Sequence, residues 1–184
     1  PLQIMQDREA IIRTARELVI MLAEQGLVYA EIRFAPQLHT RKGMTQAEAI
    51  EAVIEGVNEG MKQAKTIDIG IICCTMSIGL ETVNKEENLE TVRATKQYLG
   101  KGVVALDLAG AEGIVPLKNF GYIFDLAREL ELPITVHAGD SDGPQTAWDA
   151  LEFGTKRIGH GHRVYDDKEL IKKCIEDNVT LEIC

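Results

Sequence analysis

Between Pro133 and His160 the chain reads Pro133-Ile134-Thr135-Val136-His137-Ala138-Gly139-Asp140, then a mixed stretch from Pro144 to Phe153, then Arg157-Ile158-Gly159-His160. Two short apolar runs each lead into a histidine and a glycine. The segment between them has helical character, with Gly154 as its stop. This is a β-α-β unit. Its strands are nearly continuous in apolar character rather than alternating, as strands covered on both faces of a parallel sheet are.

The same alternation extends in both directions. Upstream lie a helix over Asn119–Leu130, a strand over Val103–Leu108 ending in Ala109-Gly110, and a segment Asn84–Gly100 that is helical in its second part. Before these come a buried strand over Ile67–Cys74 and a helix that opens on Thr45-Gln46-Ala47-Glu48, which has the form of a capping box, and runs to about Lys65. The first elements are a strand over Leu27–Phe34, closed by Ala35-Pro36, and a helix over residues 5–26. In that helix Ile11, Ile12, Ala15, Leu18, Val19 and Leu22 fall near helical spacing. Downstream, Asp167–Asp177 reads as a helix and Val179–Cys184 as the start of a sixth strand. No repeat or linker divides the chain, so residues 1–184 are expected to form one α/β domain. An open doubly wound sheet and part of a (β/α)8 barrel both fit, and periodicity does not separate them.

Composition narrows the function. The 184 residues are 45% apolar and 27% charged, an ordinary globular balance that excludes disordered and low-complexity classes. The formal net charge of −9 opposes binding to phosphate backbones or anionic membranes and suits a protein that handles small molecules. No apolar run approaches the roughly 20 residues of a membrane span, and none reads as a signal peptide. Cys73, Cys74, Cys174 and Cys184 form no C-x-x-C pair. They are expected to be reduced thiols in a reducing compartment, the cytoplasm.

In either architecture the chemistry lies beyond the carboxyl ends of the strands. The polar residues there are Glu31 and Arg33; Asp107 and Gly110; His137 and Asp140; His160 and His162; and Glu182. His137 can present a ring nitrogen to a metal with Asp140 as a nearby proton donor or acceptor, or it can be a loop histidine with Asp140 capping the next helix. His160, between two glycines, can face a ligand or bond to a neighbouring strand. Asp107-Leu108-Ala109-Gly110 can set bare glycine backbone against a flat ligand or be an ordinary strand exit. Glu31 and Arg33 share a strand face and fit a structural ion-pair network better than catalysis. His162 is expected to face solvent or to stand behind the site, and Trp148 to pack. No dinucleotide loop, phosphate loop or nucleophile elbow is present.

Several of these segments resemble the adenosine deaminase family. Tyr29-Ala30-Glu31-Ile32-Arg33-Phe34-Ala35-Pro36 is similar to that family's second strand, Val104-Ala105-Leu106-Asp107-Leu108-Ala109-Gly110 to its fourth, and Thr135-Val136-His137-Ala138-Gly139 to its fifth. Arg157-Ile158-Gly159-His160-Gly161 resembles the sixth and Leu181-Glu182-Ile183-Cys184 the start of the seventh. The resemblance spans essentially the whole chain. It implies an incomplete (β/α)8 barrel of about strands two to seven and hydrolysis of the 6-amino group of adenosine, a purine nucleoside, to inosine and ammonia with one zinc. It further implies His137 as a zinc ligand, His160 as the histidine that orients or activates the attacking water, Gly110 as a backbone contact to the purine, and Asp140 as the proton donor to the purine ring.

The chain departs from the family pattern in three ways. The family's first-strand His-x-His and eighth-strand Asp pair have no counterpart here, which leaves His137 alone of four expected zinc ligands. Asp140 stands where the family has Glu, and Ala111 where it has an acidic residue after the fourth-strand Gly. The chain is therefore expected to be an excerpt of a longer protein, to bind zinc poorly and to lack activity by itself. Its open sheet edges invite self-association. The alternatives are a barrel relative that has lost catalysis and serves as a binding or assembly module, or a deaminase of adenine or another aminopurine.

Overall fold

The computed structural model describes residues 2–183, so the cysteine expected at the end of the sixth strand, Cys184, lies outside the described residues. Helices and strands alternate: α1 Arg8–Glu24, β1 Tyr29–Phe34, α2 Gln46–Ala64, β2 Asp68–Ser77, α3 Lys85–Tyr98, β3 Val103–Gly110, α4 Gly121–Glu129, β4 Val136–Ala138, α5 Pro144–Glu152, β5 Arg157–His160, α6 Lys168–Glu176 and β6 Thr180–Glu182. The strands run in the order β1-β2-β3 and β4-β5-β6, and a parallel bridge between Leu106 and Ile134 links β3 to the residues just ahead of β4. All the registered pairs are parallel. Sequential parallel order is that of a (β/α) barrel. A doubly wound sheet reverses its order at a switch point, so the open-sheet alternative is excluded.

The helix ends follow local chemistry. The Thr45 hydroxyl accepts the Glu48 N–H at 3.2 Å while the Glu48 carboxylate accepts the Thr45 N–H at 2.8 Å, completing the expected capping box. Asp7 caps α1 by accepting the Ala10 N–H, and Asp167 caps α6 by accepting those of Glu169 and Leu170. Trp148 does more than pack: its indole N–H donates to the second oxygen of Asp167 at 2.9 Å.

The chain divides into two compact units. The first comprises residues up to Cys74 with Arg93–Ala105. Its core gathers Ile11, Val19, Ile50, Val53, Val57, Ile71 and Cys73. Here α1 lies close on α2, because a Cβ at Gly56 would stand 2.3 Å from the Ile12 carbonyl oxygen. His39 is buried in this unit, its Nδ1 2.7 Å from the Met5 carbonyl. The second unit comprises Thr75–Val92 and the residues from Leu106 onward. Phe120, Ile123, Phe124, Leu106, Ile158 and Leu170 are fully buried there. Each such side chain contributes roughly 1.5–3 kcal/mol.

Two strands differ from their expected extents. β2 continues to Ser77, three residues past the expected Cys74. β4 is confined to Val136–Ala138 although an extended run from Pro133 is expected. Residues 133–135 instead form the bridge to Leu106, with Leu106 N–H donating to Pro133 O and Thr135 N–H to Leu106 O, both at 2.9 Å.

Candidate active site

The strand register assembles the site within the second unit. His137 on β4 stands opposite Gly159 on β5, and Ala138 opposite His160. A Cβ at position 159 would come 3.3 Å from the His137 ring, so the glycine leaves the room the imidazole occupies. On β3, the carboxylate of Asp107 is fully buried and lies 2.8 Å from His137 Nδ1. Nδ1–H thus donates to Asp107, and Nε2 is the ring nitrogen that carries the lone pair. Asp107 is therefore not an ordinary strand exit: it fixes the tautomer and orientation of His137.

His160 ends β5 with φ +67°, a left-handed conformation uncommon for a residue with a side chain. Strain of this kind costs about 1–3 kcal/mol and persists where the surroundings impose it. The His160 ring meets the His137 ring edge-on, with centroids 5.1 Å apart, and lies 5.7 Å from the His162 ring. Asp140 faces both later histidines: its Oδ1 is 3.9 Å from His160 Nδ1 and 3.6 Å from His162 Nε2. Asp140 does not cap the next helix. The N-cap of α5 is Gly143, with no side-chain cap bond. His162 was expected outside the site, and the structure brings it to the same carboxylate.

Gly110 closes β3 at φ +120°. A Cβ there would lie 2.3 Å from the Ser77 carbonyl oxygen, and the next residue, Ala111, donates its N–H to that oxygen at 2.9 Å. The fold itself therefore demands a glycine at 110. A small cavity of about 30 Å³, room for one water, lies between Gly110, Glu112, His137, Thr146 and Phe120.

Glu112 organises the loop after β4. One oxygen accepts the Gly139 N–H and the Thr146 hydroxyl, both at 2.6 Å. The other accepts the N–H groups of Asp140 at 2.9 Å, Ser141 at 2.6 Å and Asp142 at 3.1 Å. Burial pushes the Glu112 carboxyl up, but the Thr146 hydroxyl and the three N–H donors outweigh it and hold the group below its ordinary 4.5. Sequence reading stops at Gly110 and at the missing acid of position 111. The rule that selects polar residues past a strand end reaches Glu112 as well, so a signal for it was present. Glu31 and Arg33 lie in the first unit, where the Tyr29 hydroxyl donates to Glu31 at 2.8 Å. Glu182 pairs with Arg157 at 2.5 Å.

Cys73, Cys74 and Cys174 are free and buried. Burial pushes the Cys73 thiol up to about 12, against a smaller opposite effect of a Thr95 hydrogen bond. Among the described residues no helix is long and apolar enough to cross a membrane.

Known proteins resemble this chain over its full extent. The family model for adenosine deaminase matches residues 2–184. The adenosine deaminase of Haemophilus ducreyi is 42% identical over 187 residues, covering 100% of this chain and 54% of that protein. Among solved structures, the Arabidopsis ADAL complexed with IMP superposes with a TM-score of 0.85 at 26% identity, covering 99% of this chain and 54% of the other. The Arabidopsis N6-mAMP deaminase superposes at 0.83 and 27%, covering 97% and 53%. The chain spans about half the length of the curated relatives it matches, which fits the expected portion of a (β/α)8 barrel.

Proposed function

The chain belongs to the adenosine deaminase family, and from that premise we propose that it carries the purine-facing half of a hydrolytic deaminase acting on adenosine. The observation that carries this reading is the convergence of His137, Asp140 and His160 at adjoining strand ends, with Asp107 buried behind His137.

The donor set around His137 fits a metal. A histidine whose Nδ1–H is held by a buried carboxylate is oriented to ligate through Nε2. His137 would thus be one ligand of zinc, and a zinc site needs further donors beyond this residue. Zinc, when bound, supplies the Lewis acidity that lets water act as a nucleophile near neutral pH.

The chain's own residues perform the remaining steps. His160 holds the attacking water by hydrogen bond and takes up its proton. Asp140 passes a proton to a purine ring nitrogen as the carbon that bears the 6-amino group is attacked, which lets the ring accept the electron pair. The proton taken up by His160 then passes to the amino nitrogen, the new hydroxyl returns its proton to Asp140 as the carbonyl forms, and the carbon–nitrogen bond breaks to release ammonia. The backbone at Gly110, which has no side chain to hold a planar ring off, supports the purine. Glu112 positions Asp140 by fixing its N–H. Asp140 is one methylene shorter than glutamate, and a misplacement of about 1 Å costs about 10²-fold in rate, so catalysis is expected to be slower than with Glu.

The same reading places the protein in the cytoplasm with a diffusing purine nucleoside and without nucleic acid or membrane, in keeping with its charge of −9. β1 and β6 each have a strand neighbour on one side only among the described residues. Pairing through those edges is proposed for this chain alone, and sedimentation velocity will show it as a dimer or higher species.

The test is turnover in a chimera in which this chain replaces the matching segment of the Haemophilus ducreyi enzyme. Asp140→Ala is expected to lower kcat by about 10² or more, and Asp140→Glu to raise it. Unchanged turnover in Asp140→Ala refutes the assignment.

A further inference from the structure

Asp140, His160 and His162 stand together for a reason that the deaminase reading does not use. Their three nearest ligand atoms, one carboxylate oxygen and two imidazole nitrogens, all lie within 4.8 Å of one another. Donors around a tetrahedral ion at about 2.0–2.1 Å are separated by about 3.3 Å. The carboxylate's distances of 3.6 and 3.9 Å to the two histidines thus need only a few tenths of an ångström of closure.

The supports are fixed from outside the cluster. The Asp140 N–H is held by Glu112. His160 and Gly161 are consecutive left-handed residues, φ +67° and +73°, and this turn sets the two later imidazoles side by side. The side chains are partly exposed, at 46%, 26% and 44%, so an ion reaches them from solvent and keeps water in its remaining positions. His137 is not among the three donors.

We propose that Asp140, His160 and His162 form a binding site for a divalent first-row transition ion, separate from the ligand position of His137. Two imidazoles and one carboxylate suit Zn2+, Co2+, Ni2+ or Cu2+ and disfavour Mg2+ and Ca2+, which take oxygen donors. One consequence rests on the deaminase reading. Asp140 and His160 are the groups assigned to proton transfer there, so an ion held by them withdraws both and inhibits.

The test is calorimetric titration of tag-free protein with Ni2+, with circular dichroism to confirm that each variant is folded. One ion per chain is expected. His162→Ala, at an exposed side chain, should weaken binding by about tenfold or more, since even the loss of an outer partner of a ligand costs about 10–100-fold. Asp140→Asn should weaken it similarly. His137→Asn, which keeps a donor for Asp107, should leave it intact. Absence of binding, or binding lost in His137→Asn and kept in His162→Ala, overturns the proposal. In the chimera, Ni2+ inhibition should be relieved by His162→Ala, and inhibition unchanged by that variant overturns the inhibitory role. An inactive chimera beside intact Ni2+ binding by the chain contradicts the deaminase reading and leaves this site standing.

Discussion

Glutamine in place of Glu112 tests the clamp on the loop that carries Asp140. The carboxylate accepts five hydrogen bonds between 2.6 and 3.1 Å. A bond to a charged group is worth about 1.5–3 kcal/mol where water does not replace it. The bonds to Asp140, Ser141 and Asp142 are exposed, and water replaces them at little cost. Those to Gly139 and Thr146 are partly buried and carry the effect. Glutamine keeps one oxygen for one pair of donors and turns an NH2 toward the others, so Glu112→Gln should cost about 2–3 kcal/mol. The pH dependence has a definite sign. A carboxyl held below its ordinary 4.5 in the folded state contributes stability that is fully present above that value and is lost as pH falls through the folded one. Urea unfolding of both proteins by circular dichroism should therefore show the full difference at pH 7 and a smaller one near pH 3.5. A difference below about 0.5 kcal/mol at pH 7, or one identical at both pH values, would refute the reasoning.

Gly110→Ala places a Cβ 2.3 Å from the Ser77 carbonyl oxygen at φ +120°. It should cost about 3 kcal/mol or prevent soluble folding, read as the urea midpoint and the soluble yield. Thr45→Ala removes the capping hydroxyl of α2 and should cost about 1 kcal/mol in the same assay, whereas Thr45→Ser should be nearly neutral. Cys73, fully buried with its thiol pushed up to about 12, should resist a thiol reagent at pH 8 until the protein is unfolded. Peptide mapping of the labelled protein checks this, and prompt labelling of Cys73 in the folded state would contradict its placement.

What was legible in the sequence was local or periodic. Thr45 and Glu48 are three residues apart and make the capping box together, so no tertiary information is needed to see it. The unbroken apolar character of Ile69–Cys74 reflects burial on both faces of β2, and the strand shows it. His137 and His160 were legible as strand ends. Their partners were not. Asp107 reaches His137 from a strand thirty residues earlier, and Glu112 reaches Gly139 across 27 positions. Neither pairing leaves a trace in spacing. His162 is expected to face solvent or to stand behind the site because its approach to Asp140 depends on the left-handed backbone at His160, which a β-region strand ending does not foretell. The choice between barrel and open sheet likewise waited on strand order, since apolar runs carry no record of their neighbours.

The most direct measurement is adenosine turnover by the folded, zinc-loaded chimera that carries this chain in place of the matching segment of the Haemophilus ducreyi adenosine deaminase. Loss of adenosine absorbance with one ammonia released per inosine, abolished by His137→Ala, is the result predicted. A chimera that folds, holds zinc and leaves adenosine unchanged would contradict the proposal that these residues form the purine-facing half of a deaminase.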